Sequence, residues 1–264
     1  MAQRRIEYQG NIFDISYEIL KPDSQSHFLE SKGSSSQSLE SQDSPPILLF
    51  LHGWGSNKDL MKIAFGKCFR EFCHIYVDMP GFGNSPNEVP LHTRDYANII
   101  QKFMREVAKI EASECVIVGH SFGGKVATLC QPKEMILLSS AGIIVPKPLK
   151  VRFKIALTKI MGKLGLKSIG KVFRSSDVSA MSEGMYQTFK NVVDEDFSGE
   201  FSSYGGVASI FWGEDDKATP LFCGEKITGL IKQSRFFPMQ GDLYFFLKQG
   251  LEVERLYRSK CETK

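Results

Sequence analysis

A chain of 264 residues, 42% hydrophobic and 24% charged, has room for one large core, or for a core carrying a modest insert. Its net charge of +3 is too small to point to nucleic acid. No apolar run is long enough to span a bilayer, and no apolar signal region follows the basic start MAQRRIEYQG, so the expected location is cytoplasmic.

Residues 4–20 alternate apolar and polar in two short runs around Gly10-Asn11, which predicts a β-hairpin within residues 1–22. Residues 23–44 hold nine serines, few apolar residues and no period, the composition of a flexible linker or surface loop. After Pro45-Pro46 the pattern sharpens. Residues 47–51 form a short, continuous apolar run, as suits a strand buried on both faces. A helix is predicted over 59–70, a strand over 74–77 and a helix over 94–110, with Tyr96, Ile99, Ile100, Phe103, Met104 and Val107 on one side. A strand at 115–118, a helix at 122–129 and a strand at 134–138 continue the alternation, which means βαβ units, right-handed crossovers and a mostly parallel sheet.

The alternation stops near Ala141. Residues 143–205 carry helical, amphipathic spacing and predict a cap inserted at one end of the sheet. It resumes with a strand at 207–212, a helix at 221–231, a strand at 235–237 and a last helix at 243–257, so the core comprises 45–142 and 206–260. Cys68, Cys73, Cys115, Cys130, Cys223 and Cys261 show neither CxxC nor zinc-ligand spacing and read as buried thiols. No residue pattern calls for a metal or a cofactor.

The segment 115–124, CVIVGHSFGG, reads as strand, tight turn and helix around Gly119-His120-Ser121-Phe122-Gly123, a GxSxG pattern. The chemistry needs that shape. A serine at a strained strand-to-helix turn holds its hydroxyl clear of the backbone, and flanking glycines let strand and helix pass closely. The helix start aims N–H groups at a developing oxyanion.

Four signatures occur in order: His52-Gly53-Trp54-Gly55, then Asp78 to Ser85 (DMPGFGNS), then the GxSxG segment, then Trp212 to Pro220 (WGEDDKATP). Together they resemble the α/β-hydrolase superfamily, with the flavour of small carboxylesterases, meta-cleavage product hydrolases and pimeloyl-carrier-protein methyl ester esterases. The resemblance covers roughly residues 45–257. It implies an α/β-hydrolase fold, a mostly parallel twisted sheet with helices on both faces and a helical cap. It also implies Ser121 as nucleophile, the N–H groups of Trp54 and Phe122 as oxyanion hole, and Asp216 as triad acid in preference to Asp215. His52 is then a support of its loop, His120 an elbow neighbour facing away from the hydroxyl, and 78–85 a structural turn.

The triad histidine should follow the last strand, where relatives read Gly-Asp-His. This chain has Leu243 after Asp242, and its histidines are His27, His52, His74, His92 and His120. Losing that imidazole from a subtilisin-type triad costs on the order of 10⁶ in rate. A carboxylate such as Asp242 is a poor replacement, because its ordinary pKa lies far from that of a serine proton. Two functions remain in view: a hydrolase of a small ester, thioester or vinylogous diketone, and a binding or regulatory protein that keeps the pocket without turnover. Between 147 and 174 lie nine Lys or Arg and no Asp or Glu. That run is either the solvated face of the cap or an attractor for an anionic acyl carrier or lipid head group.

Overall fold

The computed structural model of the protein describes residues 2–22, 45–145 and 182–259. The serine-rich stretch 23–44, His27 and the basic run 147–174 lie outside the described residues.

The N-terminal hairpin pairs β1 (Ala2–Tyr8) with β2 (Asn11–Leu20). Its turn is Gln9-Gly10, one residue earlier than the pattern suggested, and both residues have positive φ (49° and 74°). A two-residue turn between right-twisted strands requires φ above zero at both positions, and Gly10 meets that freely. The hairpin extends the main sheet: β2 runs antiparallel to β4 (Cys73–Val77). Beyond it, β3 (Ile47–Leu51), β5 (Val116–His120), β6 (Glu134–Leu138), β7 (Val207–Gly213) and β8 (Ser234–Met239) are all parallel. The eight strands lie in the order β1-β2-β4-β3-β5-β6-β7-β8. The apolar runs of β3 to β7 are buried because helices cover both faces of the sheet.

One face carries α2 (Thr93–Val107), α3 (Phe122–Cys130) and α6 (Leu221–Leu230), the other α1 (Lys58–Phe65) and α7 (Phe246–Arg258). Between the halves of the core stand α4 (Glu183–Val193) and α5 (Ser198–Ser203). Phe201 and Tyr204 sink into the same apolar cluster as α2 and α3, so the chain is already packed on the core before β7 begins.

Three helices differ from their predicted spans by three residues or more; the second ends at Val107 rather than 110, where Ala108 caps it and Lys109 turns the chain at positive φ (60°). The first ends at Phe65 rather than 70, because Gly66 caps it and Phe69 turns the chain at positive φ (49°). The last begins at Phe246 rather than 243. Asp242 accepts the Tyr244 amide and its carbonyl accepts the Phe245 amide, which holds 242–245 in a turn.

The order of the strands places the site. From β3 the chain steps to β4 on one side, while β5 lies on the other. The carboxyl ends of β3 and β5 therefore border a crevice where the strand order reverses, the place where open α/β sheets receive ligands. The loops 52–57 and 120–122 meet there.

Candidate functional site

Ser121 connects β5 to α3 at φ 50°, ψ −113°, a strained conformation for a residue with a side chain. The glycines around it are required by contact. A Cβ on Gly119 would come within 2.6 Å of the Gly124 Cα, and one on Gly123 within 2.3 Å of the Leu51 carbonyl oxygen. The Ser121 amide donates to Leu138 O (3.1 Å), and its carbonyl accepts the amides of Gly124 and Ala141 (3.0 Å each). Backbone thus holds the elbow on both sides and leaves the side chain out of the bonding. Among the described residues, the Ser121 hydroxyl makes no hydrogen bond.

The loop after β3 lies directly over this turn. A Cβ on Gly53 would stand 3.2 Å from the Ser121 Cβ. His52 is fully buried; its Nε2 accepts the Met79 amide (3.1 Å), so its proton sits on Nδ1 and is donated to Gly53 O (2.8 Å). That bond fixes the Gly53–Trp54 peptide. Neither the Trp54 nor the Phe122 amide donates to any described group. The Trp54 ring is wedged edge-on against Phe82 (4.9 Å), against Phe122 (5.6 Å) and beside Phe189 of α4 (5.4 Å).

Below the loop, Asp78 is completely buried. It accepts the Lys58 amide (2.8 Å), the Lys58 ammonium (2.7 Å) and the Asn84 amide (3.0 Å). Ser85 Oγ donates to Asp78 O and accepts the Ser16 amide, so the 78–85 segment ties the end of β4 to β2 and, through Lys58, to the start of α1. Lys58 had no signal in the sequence: a lysine at a helix start reads as solvated.

Asp216 follows β7 and is buried, whereas Asp215 is exposed. Asp216 Oδ1 accepts the amides of Ala218 (2.7 Å) and Thr219 (3.0 Å), and Oδ2 accepts the Thr219 hydroxyl (2.8 Å). Burial pushes its carboxyl up to about 6, with the Thr219 and Ala218 donors pulling the other way. No bond joins Ser121 to Asp216, but both stand at the carboxyl edge of the sheet. They are linked through β6, whose following residue Ser139 donates its amide to Phe211 O and accepts the Thr219 hydroxyl.

The turn expected to bring the base is in place. A Cβ on Gly213 would meet the Asp242 and Gly241 carbonyl oxygens at 2.3 and 2.6 Å, and the Asp215 amide donates to Gly241 O (2.8 Å). Leu243 itself is buried in the apolar cluster that includes Phe50, Ala218, Met239 and Tyr244. Asp242 is exposed and bonded to the Tyr244 amide.

No described imidazole bonds to Ser121. His120 packs on Tyr244 (5.1 Å) and Phe246 (4.8 Å), and neither ring nitrogen reaches full hydrogen-bond geometry with a described group. Burial drives its pKa down to about 3, the Leu243 backbone carbonyl opposing, so the ring is neutral. His74 is tied to Tyr76 and to Phe69 O, and exposed His92 caps α2.

Beside the elbow opens a cleft of about 380 Å³. Its floor is 141–145 with Ala218 and Thr219, and its wall is α4 through Tyr186, Phe189 and Val193. Ser121 does not line it, but its hydrogen-bonded neighbour Ala141 does. Most of the lining is apolar, which suits a hydrocarbon chain. Among the described residues no cluster of His, Cys, Asp and Glu could hold a metal ion, and no helix is long and apolar enough to cross a membrane.

Residues 48–224 match the profile of the alpha/beta hydrolase family. Over 104 residues the chain is 32% identical to a pimeloyl-[acyl-carrier protein] methyl ester esterase of Pseudoalteromonas atlantica, covering 37% of this chain and 38% of that protein. Over 96 residues it is 38% identical to the protein of the same name from Aeromonas hydrophila, covering 35% of each. The chain thus spans well under half the length of the curated relatives it matches. Two solved structures superpose over nearly the whole chain. An esterase from Exiguobacterium antarcticum does so with a TM-score of 0.69 at 17% identity, covering 96% of this chain and 97% of that one. A meta-cleavage product hydrolase from Pseudomonas fluorescens does so with a TM-score of 0.66 at 15% identity, covering 96% and 95%.

Proposed function

The chain belongs to the α/β-hydrolase family, and from that premise we propose that it is an esterase-type serine hydrolase of a small acyl ester, thioester or vinylogous diketone. The observation that carries this is the strained Ser121 turn, whose hydroxyl is unbonded and whose neighbouring amides, Trp54 and Phe122, have no described acceptor. Ser121 Oγ attacks the substrate carbonyl carbon, and the two amides receive the oxyanion. Collapse expels the leaving group, and water then releases the acyl chain from Ser121. Asp216 occupies the acid's place without an imidazole to orient. The Ser121 proton therefore passes to solvent, and turnover is slow: a missing base is worth about 8 kcal/mol of barrier in a subtilisin-type triad.

The apolar cleft supports an acyl chain as the bound group. The relatives' printed name, methyl ester esterase on an acyl carrier protein, fits that class. The basic run at 147–174 supports an anionic acyl carrier or lipid head group as its source, in which case association weakens with salt.

The test is hydrolysis of p-nitrophenyl butyrate by wild type, Ser121→Ala and Leu243→His. The expected result is slow wild-type turnover, lost in Ser121→Ala and raised by about 10³ or more in Leu243→His. If wild type is no faster than Ser121→Ala while Leu243→His turns over, the natural protein is a binding scaffold. If wild type already matches an ordinary esterase, some other base serves Ser121.

A further inference from the structure

Lys125 stands one turn beyond Ser121 on α3, within the apolar segment FGGKVATLC, and its side chain is only 3% exposed. A lysine buried this deeply needs partners, since an unpaired ammonium away from water is costly. It has four. The ammonium donates to Val192 O (2.6 Å) and to Glu195 (2.7 Å), and it lies over the rings of Phe197 (4.7 Å) and Phe122 (5.7 Å). Burial lowers its pKa, and Glu195 opposes that most strongly.

Each partner has a place in the architecture. Val192 belongs to the last turn of α4, where carbonyls lack intrahelical donors and the helix dipole is negative. Glu195 also receives the Thr93 hydroxyl at the start of α2, so one carboxylate joins α2, α3 and the end of α4. Phe197 donates its amide to Gly142 O (2.8 Å), fastening the returning chain to the departing one. The other end of α4 is held separately. The Leu91 amide donates to Thr188 Oγ1, and Gly81 and Gly184 are in close contact with Met185 and with the Glu88 backbone. The C-terminal end of α4 is tied to α3 through Lys125, to Leu91 O through the Asn191 side chain (3.2 Å) and to the core through buried Val192, and α4 carries Phe189, which meets the Trp54 ring and walls the cleft.

We propose that Lys125 is a positioning residue that locks the C-terminal end of α4, and with it Phe189, which walls the cleft and meets the Trp54 ring, in register with the helix that follows Ser121. Calling that wall functional rests on the hydrolase reading above; the lock itself does not. A methionine or leucine at 125 would fill the space but could bind neither the end of α4 nor Glu195. The ion pair therefore specifies where α4 sits rather than adding bulk stability.

The test is amide hydrogen exchange by mass spectrometry on the full chain, with acrylamide quenching of indole emission. Trp212 is fully buried, so quenching reports Trp54. Lys125→Met is expected to speed exchange across 183–193 tenfold or more, leave peptides of β3, β5 and β6 within twofold of wild type, and increase quenching. Lys125→Arg, which keeps the cation, should return exchange at α4 to within threefold of wild type. Glu195→Gln, which keeps the Val192 bond, should give an intermediate rise confined to the same peptides. Unchanged exchange at α4 in Lys125→Met, or an equal rise throughout the sheet, overturns the proposal. If Lys125→Met does not fold, Glu195→Gln decides: a rise confined to 183–193 supports the lock, and no local rise overturns it. None of these readouts needs turnover, so an inactive wild type sinks the hydrolase reading without touching this one.

Discussion

The two halves of the site are built to different degrees. On the nucleophile side, the turn at Ser121, the glycines at 119 and 123, the fixed tautomer of His52 and the buried Lys58–Asp78 pair all serve to hold one hydroxyl and two amides in place. On the opposite side, the backbone is equally well placed: Gly213 lies against the Gly241–Asp242 turn, and Asp216 is buried and satisfied by its own loop. The side chain that follows Asp242 there is Leu243, which turns into an apolar cluster. The lesson is that main-chain scaffolding and side-chain chemistry are separable. The bonds that shape the 241–245 turn come from backbone and from Asp242, so they do not depend on which side chain stands at 243.

The comparison can be broken first at the buried ion pair. Replacing Lys58 with methionine leaves Asp78 fully buried with its charge uncompensated. A loss of about 3–5 kcal/mol in unfolding free energy is expected by urea titration. A loss under about 1 kcal/mol would mean that the oxyanion-loop side is not held by this pair.

A smaller effect is expected at Gly123. A Cβ there points at the Leu51 carbonyl, which belongs to the central strand and cannot retreat. Gly123→Ala should cost about 1–3 kcal/mol, and labelling of Ser121 by a fluorophosphonate should fall with it. Full labelling in a destabilised variant would show that the elbow tolerates displacement from β3.

A third probe, of similar size, sharpens the comparison at Asp216. Asp216 holds its proton up to about 6 when folded, against an ordinary carboxyl value of 3.8. Between those values the folded chain binds the extra proton. The group therefore favours folding in acid, and that contribution is lost as pH rises from about 4 to about 6. His120 acts in the opposite sense: its folded pKa is near 3, so protonation of the unfolded chain costs stability as pH falls below 6.5. A difference measurement separates the two. The stability of wild type minus that of Asp216→Asn should fall by up to about 3 kcal/mol between pH 4 and pH 8. A flat difference would place Asp216 in a wetter site.

Much of this was legible before any coordinates. Short, continuous apolar runs alternating with 3.6-period segments identify a parallel sheet, because strands buried on both faces have no polar side to show. The elbow is legible because its geometry demands particular residues at particular spacing. The absence of a histidine beyond residue 120 is a fact of composition, independent of folding. The resemblance already prefers Asp216 to Asp215, and folding buries the first and exposes the second. Helix ends at 65, 107 and 246 differ from the pattern because caps and turn bonds decide them, and these depend on single contacts rather than on period.

Lys58 and Lys125 were invisible for a related reason. A lysine in a helix is normally solvated, and nothing local announces a partner; Asp78 is 20 residues from Lys58, and Glu195 is 70 from Lys125. Local pattern carries the strands, the elbow and the missing imidazole, because each is written in neighbouring residues or in their count. Which charges are buried and where Leu243 points depend on segments distant in the chain coming together. Such pairings exist only once the sheet has closed and water has left the space between them.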